Sequence, residues 1–170
     1  MSSQEGRVHP ISYYGDPVLH RRCAEVLVFG RGLGTLVEDM FASMYAADGV
    51  GLAANQIGVD LRVFVYDCTD AGNVRRIGHV VNPVLEATAG ASSDEEGCLS
   101  VPGPRAALTR PASATVSGFD RTGRPITVTG TGTLARCLQH ETDHLDGTLY
   151  VDHLTPRRRA DVLREAGFAA

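Results

Sequence analysis

Gln139-His140-Glu141-Thr142-Asp143-His144 decides how this chain is read. It holds the pattern H-E-x-x-H within a stretch of helical periodicity. A spacing of four puts His140 and His144 on one face, one turn and ~6 Å of rise apart. Two imidazoles so placed can share one metal ion. Glu141 sits about 60° from His144 around the helix axis, since each residue turns the helix about 100°. It can reach a water at the metal without being a ligand, which is the arrangement of a metal-dependent hydrolase. The bland reading is a solvated helix face with i,i+4 contacts.

Working outward, Leu134, Cys137, Leu138 and Leu145 form the buried side of the same helix, and Gly147 ends it. Before it, Ala114–Phe119 and Pro125–Thr129 alternate in period two around Asp120-Arg121-Thr122-Gly123, a hairpin signal. Arg62–Asp67 reads as a buried strand. Ile77–Val81 reads as another, stopped by Asn82-Pro83, with Val84–Ala87 a short third. Residues 88–94 are small and polar and read as loop. Thr35-Leu36-Val37-Glu38 has the form of a capping box, opening an amphipathic helix over 36–47 that ends at Asp48-Gly49. Residues 156–168 read as a short surface helix whose run Arg157-Arg158-Arg159 is solvated. The order of helix, several strands and a metal-pattern helix predicts an α+β fold. A mostly antiparallel sheet wraps the central H-E-x-x-H helix, in one catalytic domain over 1–170.

The 170 residues carry a net charge of −4, which leaves no broad basic footprint for stable nucleic-acid binding. All sixteen basic residues are arginine. No apolar run reaches membrane-spanning length. Met1–Pro10 is polar and lacks the apolar stretch of an export signal, so a cytoplasmic location is expected. The four cysteines, Cys23, Cys68, Cys98 and Cys137, form no C-x-x-C pair, and in a reducing compartment they stay free.

Two histidines leave a catalytic site one protein ligand short. Carboxylates are common third ligands. Here Cys98 sits in a segment of its own, Glu96-Gly97-Cys98-Leu99-Ser100-Val101-Pro102, and a thiolate suits a borderline divalent metal. A third stretch is Gly49-Val50-Gly51-Leu52-Ala53-Ala54-Asn55-Gln56-Ile57-Gly58. Its Gly49 and Gly51 imply close approaches that a side chain would block.

Together, Gly49–Gly58, Glu96–Pro102 and Gln139–Gly147 resemble, in order and spacing, the three signature motifs of bacterial-type peptide deformylases. The resemblance implies removal of the formyl group from N-formyl-methionyl nascent peptides, releasing formate, with a transient ribosome contact and no membrane partner. It implies one divalent metal ion, Fe(II) natively, with Zn(II) or Ni(II) as alternatives in a purified sample. Carried over by motif, Cys98, His140 and His144 are the ligands and Glu141 the general base and acid. Gln56, through its side-chain amide, and Leu99, through its backbone N–H, stabilise the oxyanion, and Gly51 contacts the peptide backbone. By position, Val50, Cys137 and Thr133 are candidates for the methionine pocket. Glu96 is a candidate near the substrate, pairing with Arg105. Two positions depart from the commonest pattern: Asn55 stands where proline is frequent, and Thr142 where an aliphatic residue is usual.

Cys137 competes with Cys98 as the third ligand, three residues before His140. Yet Cys137 and His144 are seven residues apart, ~10.5 Å along the axis, too far to converge easily through bonds of about 2.0–2.3 Å. The rival readings are a zinc endopeptidase taking His153 as third ligand, a non-catalytic metal protein of the same fold, and a second-copy deformylase with a specialised substrate or an inhibitor-tolerance role.

Overall fold

The computed structural model describes residues 6–169, so Met1–Glu5 of the polar N-terminal reading lie outside the described residues. The elements run α1 (Arg31–Ala46), β1 (Gly51–Ala53), β2 (Val63–Thr69), β3 (Arg75–Ala89), β4 (Ser92–Cys98), β5 (Val101–Arg110), β6 (Ser113–Phe119), β7 (Pro125–Thr131), α2 (Gly132–Leu145) and α3 (Pro156–Glu165). Short 3-10 turns at Pro17–His20, Ala54–Ile57 and Tyr150–His153 fill the gaps. This is the expected α+β class. A five-stranded sheet has the order β1-β2-β3-β6-β7, β4 and β5 form a separate two-stranded ribbon, and every strand pair is antiparallel.

The helix α2 lies across the large sheet. Leu134, Cys137, Leu138 and Leu145 pack with Phe64, Tyr66, Val80 and Val116 in one apolar cluster. On the other side α1 covers β2 through Leu33, Val37, Met40 and Met44, which meet Val63 and Val65. Strand β2 is therefore buried on both faces over Val63–Val65, which explains its unbroken apolar run. A third cluster, with Val101, Ala106, Tyr150, Val162 and Leu163, fastens the β4–β5 ribbon to α3.

Three expectations need correction. The helix α1 starts at Arg31 rather than Leu36, with Gly30 as N-cap and no side-chain cap. Burying Leu33 extends the apolar stripe by one turn and outweighs the Thr35 capping signal. Asn82-Pro83 does not stop β3. Asn82 takes a positive φ of 51°, its side chain accepts from Val26 N (2.8 Å) and donates to Val26 O (3.0 Å), and the register shifts between Val81 and Val84. A bulge absorbs the proline there, since it has no N–H to offer the ladder. Residues 88–94 are not a loop: β3 continues to Ala89, and β4 begins at Ser92.

Candidate metal centre

The helix α2 is buried on nearly every side, including Gln139, His140, Glu141, Thr142 and His144. Such a helix needs partners for the carbonyls of its last turn. Leu145 O accepts from Cys23 N (2.8 Å) and from Arg62 Nη1 (2.8 Å), while His144 O accepts from Gly147 N (3.1 Å) and from Asn55 Nδ2 (2.6 Å). The buried Arg62 also meets Asp146 at 3.0 Å, a cation at the negative end of the helix dipole.

Cys98 reaches the helix from the ribbon. Strand β4 ends on it, β5 starts at Val101, and Leu99-Ser100 form the two-residue tip. Its Sγ lies 3.3 Å from His144 Nε2, and one ligand atom each of Cys98, His140 and His144 all fall within 4.8 Å of one another. Bonds of ~2.0–2.3 Å at tetrahedral angles separate such donors by about 3.3–3.6 Å. The Cys98–His144 separation matches that spacing, and one sulfur with two imidazole nitrogens is a donor set that suits one divalent ion. Cys137, the competing thiol, instead donates to Val50 O at 3.8 Å and is no member of the cluster.

The imidazoles are prepared unequally. His140 Nδ1 meets Glu96 Oε2 at 2.7 Å, which turns its Nε2 toward the centre, and its ring stacks on Tyr150 at 6.2 Å. Burial alone would lower the His140 pKa, but hydrogen bonds to Cys98 and Glu96 and the charge of Glu141 push it well up. His144 is held well below the ordinary histidine range by burial and by the charge of His140.

Glu96 lies in the wall of the groove that opens onto this cluster, with both carboxylate oxygens engaged. It is 4 % exposed and accepts from Arg110 Nε and Nη2 (both 2.8 Å), from Arg136 Nη1 (3.0 Å) and from His140. Burial would raise its pKa, yet the bonds from His140 and Arg110 hold it well below the carboxylate range. The expected Glu96–Arg105 pair does not form, because Arg105 donates to Glu95 O (3.0 Å) instead. Sequence reasoning also passed over Arg110, Arg136 and Asp143, which accepts from Arg110 Nη1 at 2.9 Å and lies 2.9 Å from His153 Nε2. No motif marks Arg110. It is the ribbon, pairing Ser92 with Arg110, that brings it back beside the acidic segment.

Glu141 is as buried as Glu96, at 4 %, but differently surrounded. Burial is the leading cause that pushes its pKa up to about 7. A Cβ added to Gly51 would lie 2.6 Å from Cys137 Sγ and 2.8 Å from Glu141 Oε1, so only glycine fits beside this carboxylate. Gln56 Oε1 accepts from Ala53 N (3.0 Å), which aims Nε2 at Ser100 Oγ (3.1 Å) and Cys98 Sγ (3.7 Å). Three buried side-chain atoms lack a partner among the described residues: Asn55 Oδ1, Glu141 Oε2 and His144 Nδ1. Two belong to the predicted site and the third to its neighbour Asn55, a concentration expected where chemistry rather than stability sets the arrangement.

A groove of about 690 Å³ opens onto this cluster, walled by β1, the β4–β5 ribbon and α2. Val50, Gly51, Gln56, Leu99, Thr133 and Cys137 all line it. Val50 and Thr133 are exposed there, whereas Cys137 is buried at its base.

The polypeptide deformylase family model matches residues 8–160. Peptide deformylase 2 of Streptomyces coelicolor is 57% identical over 166 residues, covering 97% of this chain and 93% of that one. Peptide deformylase 1 of Streptomyces avermitilis is 54% identical, covering 95% and 77%. Among solved structures, the peptide deformylase of Legionella pneumophila superposes with a TM-score of 0.87 at 44% identity, covering 94% of each chain. That of Synechococcus elongatus, in complex with actinonin, gives 0.88 at 36%, covering 98% and 94%.

Proposed function

The chain belongs to the polypeptide deformylase family, and from that premise we propose that it hydrolyses the formyl group from N-formyl-methionyl ends of nascent polypeptides, releasing formate. The observation that carries the reading is convergence. The sulfur and imidazole donors of Cys98, His140 and His144, the amide of Gln56 and the carboxylate of Glu141 meet at the base of one groove.

Cys98, His140 and His144 hold the metal. When bound, a divalent ion supplies Lewis-acid polarisation and makes water a better nucleophile near neutral pH. Glu141 takes a proton from the attacking water as the C–O bond forms and charge moves onto the formyl oxygen, then passes it to the amine as that charge returns and the C–N bond breaks. Gln56 Nε2 and the Leu99 N–H donate to the oxygen that gains charge, and such donors are worth about 3 kcal/mol each. The backbone at Val50 and Gly51 receives the peptide, with Thr133 and Cys137 at the methionine side chain. Glu96 acts through His140 rather than on substrate.

Fe(II) is the native metal, and Zn(II) or Ni(II) can replace it; equal turnover with zinc and iron would remove iron from this reading. The substrate is met on nascent chains, in passing contact with the ribosome, in the cytoplasm. No described helix is long and apolar enough to cross a membrane. A specialised second-copy role has one observation in its favour, the numbered deformylases 1 and 2 among the Streptomyces avermitilis relatives. Metal-replete protein is expected to release formate from formyl-Met peptides and to leave internal peptide bonds uncut. Cleavage of internal bonds without formate release would replace the reading with an endopeptidase.

A further inference from the structure

Asn55 has no part in the chemistry above, yet it is fully buried, and its amide is only half satisfied. Such a group is costly where an apolar residue would pack without penalty. Its position accounts for it. Asn55 Nδ2 donates to His144 O at 2.6 Å and lies 3.4 Å from Val18 O. Both neighbours are carbonyls, which fixes the amide with its nitrogen toward them. The next residue, Gln56, reaches the other way, to Ser100 Oγ and Cys98 Sγ at the tip of the β4–β5 ribbon. The 3-10 turn Ala54–Ile57 therefore grips, through consecutive side chains, both segments that carry the proposed ligands: the ribbon through Gln56 and the last turn of α2 through Asn55.

We infer that Asn55 is a positioning residue that sets the separation between the Cys98 tip and the His144 turn and, through its neighbour, the aim of the Gln56 amide. The inference rests on the ligand roles proposed for Cys98 and His144. Without the tether, the Ala54–Ile57 turn keeps its own bonds, with Gln56 O accepting from Ser12 N (2.7 Å) and Val59 N donating to Ala54 O (3.1 Å), but loses the Asn55 hydrogen bond to the last turn of α2. Misplacement of reacting groups by an ångström costs on the order of a hundredfold in rate, and a fraction of that is expected here.

The test compares Asn55→Ala, Asn55→Ser and wild type as Co(II)-loaded protein. Metal release to a chelator is followed by absorbance, and kcat and KM are measured on a formyl-Met peptide well below the melting temperature. Asn55→Ala is expected to release metal about tenfold faster and to lose about tenfold in kcat with KM within twofold. Asn55→Ser, which keeps a shorter donor, should fall between. A purely structural residue would lower the melting temperature and leave release rate and kcat alone, and that result in a folded variant overturns the inference. Should the alanine variant fail to fold, the serine variant decides, since wild-type release and kcat there overturn it equally. Absence of formate release by wild type sinks the deformylase reading instead, and the release rates still test the tether.

Discussion

Glu96, on the β4–β5 ribbon, is 4 % exposed and bound by Arg110, Arg136 and His140; Glu141, on α2 and lining the same groove, is buried to the same 4 % and its Oε2 has no partner among the described residues. Two carboxylates so alike in burial differ in what surrounds them, which fits the supporting role proposed for Glu96 and the reacting role proposed for Glu141. Burial raises a carboxylate pKa unless charge and hydrogen bonds oppose it. Burial of Glu96 is opposed by the His140 imidazole and the Arg110 guanidinium, and it stays ionised, while Glu141 is pushed up to about 7 with burial as the leading cause. The saturated carboxylate holds His140, and the unsaturated one keeps a buried oxygen without a partner among the described residues beside the groove.

Removing the sulfur breaks the comparison most completely, because it dismantles the centre both carboxylates serve. Cys98→Ala is expected to lose bound metal and all measurable activity, whereas Cys137→Ala keeps the metal and shows only a packing effect. Metal analysis decides, and full occupancy in Cys98→Ala would overturn the ligand assignment. Next is the unsaturated carboxylate. Glu141→Gln should lower kcat by about 10³-fold with metal content unchanged, since an amide accepts no proton. Near wild-type turnover would remove Glu141 as the base. Gln56→Ala should cost on the order of 10²-fold in kcat with little change in KM, as befits a donor used in the transition state. A pure KM effect would make Gln56 a substrate-binding residue.

Breaking the Glu96 network should act on stability first. Arg110→Met leaves Glu96 with two partners and Asp143 without its guanidinium. Loss of one partner from a buried pair costs about 3–5 kcal/mol. The denaturation midpoint should therefore fall clearly while kcat of the folded protein stays within tenfold. A loss under about 1 kcal/mol would show the network to be dispensable.

The smallest effect lies outside the Glu96 and Glu141 networks, at His79 on β3, and serves as a control. His79 Nε2 accepts from Arg121 N at 2.9 Å, and its pKa is lowered by burial and then by the Arg121 charge. A depressed folded pKa means that the unfolded chain binds the proton more readily. The contribution is thus fully present above about pH 6.5, the unfolded value, and is lost as pH falls through the folded pKa. Denaturant midpoints across pH 4–7 should show a slope that flattens in His79→Gln; an unchanged slope would place the acid sensitivity elsewhere.

The sequence by itself determined whatever depends on neighbours along the chain. Two histidines four apart must share a helix face, alternation over Ala114–Thr129 must make a hairpin, and Gly51 must mark a close approach, since a Cβ there would strike Cys137 and Glu141. The metal pattern, the α+β class and the family were legible for that reason. The tertiary structure decided what depends on register and on distant carbonyls. The β4–β5 ribbon was unreadable because most of β4 is polar and exposed, so no apolar alternation marks it. The passage of β3 through Asn82-Pro83 needed Val26, 56 residues away, to hold the bulge. Glu96 took Arg110 rather than the nearer Arg105, because ribbon pairing and not sequence distance sets which guanidinium can reach a buried carboxylate. Asn55 was visible only as an odd residue until folding laid it against His144 O, 89 residues on. Side chains that bridge segments gain their partners only when the chain closes, and a linear pattern carries no trace of that closure.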